Sequence, residues 1–104
     1  MRTQKVWSLV IRIKKNDTVQ GKRIHVLVLD ILKKGSIPGA TVWAGVGGYG
    51  KRGESTIHVE GISVNMPLVI EVIADLEKIE KVLPDIKKLV DDNGLITLHE
   101  VGVV

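Results

Sequence analysis

The 104-residue chain predicts an α+β sandwich, and three observations carry that expectation. Four segments rich in β-branched residues alternate or run continuously apolar, and two segments between them repeat apolar residues at steps of three and four. The order reads β, α, β, β, α, β. That order is the ferredoxin-like βαββαβ pattern: a four-stranded antiparallel sheet with two helices on one face, here with a long loop between the second and third strands. The length suits one core, so residues 1–104 are expected to form a single domain.

From Lys5 to Ile13, Trp7, Leu9, Ile11 and Ile13 alternate with Val6, Ser8, Val10 and Arg12, which is strand periodicity. KKNDTVQGK is turn chemistry. Arg23 to Lys34 sets Ile24, Leu27, Val28, Ile31 and Leu32 at helical spacing, and Gly35 is a natural stop. After GSIPG, Ala40 to Val46 reads as the second strand, followed by a glycine-dense loop over Gly45 to Gly53 and small polar residues to about Asn65. Met66 to Ala74 is almost continuously apolar, as a central strand buried on both faces would be. Asp75 then caps a helix whose Leu76, Ile79, Leu83, Ile86 and Val90 form one stripe. Pro84 removes the bond to the Glu80 carbonyl, so a kink or a break is expected near Leu83 with the stripe kept in phase. Asp91-Asp92-Asn93-Gly94 ends that helix, and Leu95 to Val104 is the last strand.

Two helices cover one face of such a sheet, yet the strands carry apolar residues on both. Leu68, Ile70 and Val72 oppose Val69 and Ile73, and Leu95, Val101 and Val103 oppose Ile96 and Leu98. The second face therefore predicts an oligomer in which sheets pack on each other. Hydrophobic residues at 44% and charged residues at 26% are ordinary globular composition. The chain has no cysteine, which excludes disulfides, thiolate metal sites and a cysteine nucleophile and suits a reducing compartment, so the cytoplasm is expected. The six-residue apolar run Val6 to Ile11 is short for a signal-peptide core of roughly 7–15 residues, and no run approaches the ~18 of a membrane span.

Net charge is +3, split between +9 over residues 1–53 and −6 over residues 54–104. A basic half can point to nucleic acid, but Trp7, Trp43 and Tyr49 are the only aromatics, too few for a base-stacking sheet. The doublets Lys14-Lys15, Lys22-Arg23, Lys33-Lys34 and Lys87-Lys88 read as solvated ends of elements. No nucleic-acid partner is expected.

Gly45 to Gly53 is the one constellation dense enough to suggest chemistry. Gly45, Gly47 and Gly50 satisfy G-x-G-x-x-G, and Gly45 with Gly50-Lys51 matches the start of the Walker A pattern. Both motifs need a helix to begin where the glycines end, and RGESTIHVEG is not helical. Arg52 also stands where Walker A requires Ser or Thr. What survives is shared physics: glycines that let backbone amides approach an anion, beside the cations Lys51 and Arg52. The same residues also suit a hairpin tip that only turns. His25, His58 and His99 lack metal-ligand spacing. Glu71, an acid in an apolar strand, either bonds loop amides or a ligand, or pairs with a structural partner such as Arg12. Ser8, Ser36, Ser55 and Ser63 lack the elbow context of a hydrolase nucleophile, and no enzyme is expected.

Gly39-Ala40-Thr41-Val42, Gly48-Tyr49-Gly50-Lys51-Arg52-Gly53 and Met66-Pro67-Leu68-Val69-Ile70-Glu71-Val72 together resemble the PII-type signalling proteins. The chain is more similar still to the PII-like family of the domain of unknown function one-ninety. Its pattern G-K-x-L, G-x-x-G-A-T-V, G-x-x-G-Y-G, L-P-x-V-I-E resembles Gly21 to Ile24, Gly35 to Val42, Gly45 to Gly50 and Met66 to Glu71. The resemblance implies a homotrimer that binds an adenine nucleotide in clefts between subunits. It also implies a long T-loop that changes conformation and docks on a target protein. Carried over by position, the nucleotide site would comprise Gly39, Thr41, Gly47, Gly48, Tyr49, Gly50, Lys51 and Arg52, with Thr41 near the base and Gly48 to Arg52 beside the phosphates. PII proteins grip a triphosphate with a second loop, T-G-K-I-G-D-G-K, and a basic tail. Here Asp91 to Gly94 and a terminal Val103-Val104 stand instead, so AMP, ADP or a cyclic nucleotide is expected ahead of ATP, with no tightly bound cofactor. Gly47 to about Gly61 is expected to be mobile without ligand. The other reading is an interaction module without a nucleotide, a trimer resembling the divalent-cation tolerance proteins.

Overall fold

The structure is a computed structural model that describes residues 4–56 and 65–104. The strands β1 (Gln4–Lys14), β4 (Thr41–Ala44), β7 (Pro67–Ala74) and β8 (Leu95–Val103) form an antiparallel sheet in the order β4-β7-β1-β8. β1 and β7 are the central pair, and β4 and β8 are the edges. Two short hairpins, β2 (Thr18–Val19) with β3 (Lys22–Arg23) and β5 (Gly47–Gly50) with β6 (Gly53–Thr56), lie outside it. The helices are α1 (Ile24–Lys34) and α2 (Leu76–Val90), the latter followed by a 3₁₀ turn over Asp91–Asn93.

Register fixes what each face carries, because strand side chains alternate. Leu9, Ile11 and Ile13 lie opposite Val72, Ile70 and Leu68. They meet Ile24, Val28 and Leu32 of α1 and Ile79, Val82, Ile86 and Val90 of α2 in one core. On α2 the buried residue of the middle turn is Val82, with the expected Leu83 only partly covered. The difference comes from α1, where a Cβ on Gly35 would overlap Val82 Cγ1, so the glycine lets the helices close up at this point.

Gly35 ends α1 but is not its left-handed residue. Ser36 takes φ +61°. The Ile37 amide donates to Leu32 O at 3.1 Å and the Ser36 amide to Lys33 O at 3.2 Å, a complete Schellman motif with Ile37 folded into the core. Asp75 stands at the N-cap of α2 as expected, in extended conformation, but its side chain makes no capping bond. Pro84 does not break α2, which runs unbroken from Leu76 to Val90, so of the two expected outcomes the break is excluded. The second strand is shorter than expected, ending at Ala44, and the glycine-dense stretch is a paired ribbon rather than an open loop.

The second face of the sheet bears no helix. Trp43, Val69, Ile73, Val6, Val10, Leu95, Val101 and Val103 share it by register. Val6 and Val10, on the central strand, are buried by their neighbours, whereas Trp43 is 46% and Ile73 44% exposed. The expected burial of β7 on both faces is thus met on one face only within a single chain.

Candidate functional site

Three connections meet at one end of the sheet. β1 ends at Lys14 opposite Pro67, the first residue of β7, and the Lys15 amide continues the pairing to Met66 O at 2.8 Å. β4 ends at Ala44 beside Leu68, and the Gly45 amide bonds Pro67 O at 2.8 Å. A Cβ on Gly45 would stand 2.8 Å from Pro67 Cγ, so only glycine lets the chain turn this closely past the strand end. β8 starts at Leu95, beside Arg12. The β1–α1 connection, the root of the glycine hairpin and the α2–β8 turn are therefore neighbours by topology.

The hairpin pairs Gly47 with Thr56, Gly48 with Ser55, Tyr49 with Glu54 and Gly50 with Gly53, leaving Lys51 and Arg52 as the turn. Gly53 has φ +92°, a value that side chains with a Cβ rarely adopt. Tyr49 is 90% exposed, and the hairpin glycines are exposed with it. Arg52 reaches back to the body. Its Nη1 and Nη2 donate to Asp17 Oδ1 at 3.0 Å and Oδ2 at 2.8 Å, and Nη2 also donates to Asn93 O at 2.6 Å. This is the forked pairing that guanidinium makes with carboxylate or phosphate.

Asp17 is held firmly enough to receive it. The β2–β3 hairpin, with Gln20 at φ +50° and Gly21 at φ +79°, has the two positive-φ central residues of a type I′ turn. It folds the connection back so that the Ile24 amide bonds Asp17 O at 2.9 Å. The Lys14 amide donates to Asp17 Oδ2 at 3.0 Å, and the Asn16 amide donates to Asn65 Oδ1 at 2.6 Å. Arg23 bonds Lys15 O at 3.1 Å and the Asn16 side chain. Burial would push the Asp17 carboxyl up, but the Arg52 and Lys14 hydrogen bonds, the Arg52 charge and the Asn65 side chain together hold it below the ordinary value of 3.8.

Of the residues expected to bind nucleotide, Gly47, Gly48, Tyr49, Gly50, Lys51 and Arg52 lie together in the hairpin. Among the described residues no carboxylate pairs with the Lys51 ammonium. Gly39 precedes β4, and Thr41 begins β4 opposite Glu71, along the sheet edge from the hairpin root. Within one chain these two are not joined to Lys51 or Arg52 by any hydrogen bond among the described residues. Glu71 accepts a bond from Ser8 Oγ at 3.2 Å, so its structural partner is Ser8 rather than Arg12. His99 is exposed on β8 opposite Ser8, His25 sits in the first turn of α1, and His58 and Ser63 lie outside the described residues. No group of three potential metal ligands occurs among the described residues. Among the described residues no helix is long and apolar enough to cross a membrane.

Asp17, Asn65 and Asn93 escape the sequence reading. Asp17 and Arg52 are 35 residues apart in different loops, and no local spacing announces their meeting.

The fold is that of PII-like proteins. CPII, a nitrogen regulatory PII-like protein from Thiomonas intermedia K12 whose structure is bound to ADP, AMP and bicarbonate, superposes with a TM-score of 0.78 at 16% identity, over 98% of this chain and 91% of that one. The chain belongs to the DUF190 family, described as Uncharacterized ACR, COG1993, whose model matches residues 6–103. It is 36% identical over 95 residues to the UPF0166 protein MJ1524 of Methanocaldococcus jannaschii, covering 91% of this chain and 88% of the relative. It is 35% identical over 105 residues to the UPF0166 protein of Aquifex aeolicus, covering 100% and 98%.

Proposed function

We propose that the protein is a PII-like regulator, not an enzyme, that binds an adenine nucleotide at the root of the glycine hairpin and acts in the cytoplasm. AMP or ADP is favoured over ATP. The site lies in a cleft between subunits of a homotrimer, and occupancy controls how the hairpin segment docks on a target protein. The observation that carries this reading is the hairpin itself: exposed glycine amides flanking a turn whose two residues, Lys51 and Arg52, are both cations. The free face of the sheet supports a trimer, and a neighbouring subunit offers a way to complete a site whose Thr41 and Arg52 stand apart in one chain. The binding of ADP and AMP by CPII agrees with the nucleotide class. Near the hairpin the exposed acids Asp91 and Asp92 oppose a third phosphate, which supports the shorter nucleotides.

Calorimetric titration with AMP, ADP, ATP and cyclic dinucleotides tests the proposal. Two charge-assisted contacts are worth roughly 1.5–3 kcal/mol each, less what Arg52 gives up at Asp17. Replacing Lys51 and Arg52 by Ala should therefore weaken ADP by about thirtyfold or more with the oligomer intact. No binding of any of these ligands to the wild type overturns the reading. It would leave the alternative of an interaction module, which the existing engagement of Arg52 by Asp17 favours.

A further inference from the structure

Arg52 is the cation that the nucleotide reading aims at a phosphate, yet in this structure its forked edge is already taken. Two guanidinium nitrogens face the two oxygens of Asp17, and one of them also serves Asn93 O. A phosphate approaching with the same two-point geometry needs the same N–H groups, so it and Asp17 compete.

The two partners are unequal. The Asp17 side chain is 8% exposed and receives the Lys14 amide, and its own backbone is tied at both ends, to Lys14 O and to the Ile24 amide. The Arg52 side chain is 33% exposed and hangs from the turn of an exposed two-stranded ribbon. When the pair opens, Asp17 stays and the ribbon moves. The third bond, to Asn93 O, adds the α2–β8 turn, so one side chain fastens the hairpin tip to two other connections at the sheet end.

We propose that Asp17 is a built-in rival of the anionic ligand: it latches Arg52, and with it the hairpin tip, to the body of the protein, and a bound phosphate releases the hairpin by taking Arg52 away. This rests on the nucleotide reading for the identity of the phosphate, but the latch itself does not. A ligand that must break the Asp17 pair gains a way to couple binding to hairpin position, because it favours the open state only by its differential affinity for free Arg52. Removing Asp17 should loosen the hairpin and tighten the ligand at once, a combination that a merely structural ion pair would not give.

Asp17→Asn keeps an oxygen for the Lys14 amide, and Arg52→Gln attacks the pair from the other side. A lysine-specific protease reads the hairpin without ligand, since both variants retain Lys51. Each single variant should be cut after Lys51 at least fivefold faster than wild type, and the double variant no faster than the faster single one. Unchanged rates in both variants, with wild-type far-UV dichroism, overturn the latch. Calorimetry with ADP then reads the competition: Asp17→Asn should bind at least threefold tighter than wild type, and Arg52→Gln weaker. Equal or weaker binding by Asp17→Asn, with faster cleavage, overturns the competition. Absence of ADP binding in wild type and Asp17→Asn alike sinks the nucleotide reading, while the ligand-free cleavage rates still decide the latch.

Discussion

Asp17 is an ordinary loop acid until its surroundings are counted. Its folded value lies below 3.8, so the stability it contributes is complete above the unfolded value and is lost as pH falls through the lowered folded one. Asp17→Asn should therefore cost about 1 kcal/mol at pH 7, a modest figure because Arg52 is a third exposed and screened. The difference from wild type should hold steady down to about pH 5 and vanish below the folded value. Urea midpoints of both proteins measured from pH 7 to 2.5 check this, and a difference that grows on acidification would refute it. Gly53 makes a second residue-scale case. At φ +92° an alanine is strained whatever the space around it, so Gly53→Ala should open the β5–β6 pairing. Amide exchange at Tyr49 and Glu54 would rise, with the sheet amides unchanged.

At the scale of elements, the end of α1 separates two jobs that a glycine often does together. Gly35 is needed for the approach to Val82, and Ser36 carries the left-handed turn. Gly35→Ala should destabilise by roughly 1–3 kcal/mol through overpacking between the helices. Ser36→Gly should stabilise by about 0.5–1 kcal/mol, since a non-glycine residue gives up roughly 1–2 kcal/mol in that conformation and glycine loses part of the gain to chain entropy. Thermal midpoints of the two variants should move in opposite directions. The hairpin β5–β6 illustrates the opposite relation between element and sequence. Its glycines look like a loop by composition, and pairing arises because Lys51–Arg52 with Gly53 closes a turn that alternating strand patterns would not announce.

For the whole molecule, the sheet's uncovered face sets the expected behaviour in solution. Trp43 and Ile73 are too exposed for a core and too apolar for a solvated surface. Light scattering should give about three chain masses. Ile73→Lys should yield a folded, smaller species, because Ile73 lies outside the helix-covered core. A wild type that stays monomeric at micromolar concentration contradicts the trimer.

The order of strands and helices, the central position of β7 and most of the two helix stripes were legible in the sequence by itself, because the periods of 2 and 3.6 are local properties that burial imposes on neighbouring residues, whereas Leu27 and Leu76, counted in those stripes, stay outside the core. Val82, which takes the core place expected of Leu83, was settled by packing against the end of α1, and the unbroken course of α2 through Pro84 is a fact of the structure alone. The glycine and cation cluster was visible, but its engagement was not. Asp17, Arg52 and Asn93 come from three connections separated along the chain, and only the antiparallel register of β1, β7, β4 and β8 brings them to one end of the sheet. A contact of that kind leaves no period in sequence, since nothing but the closed fold relates its members.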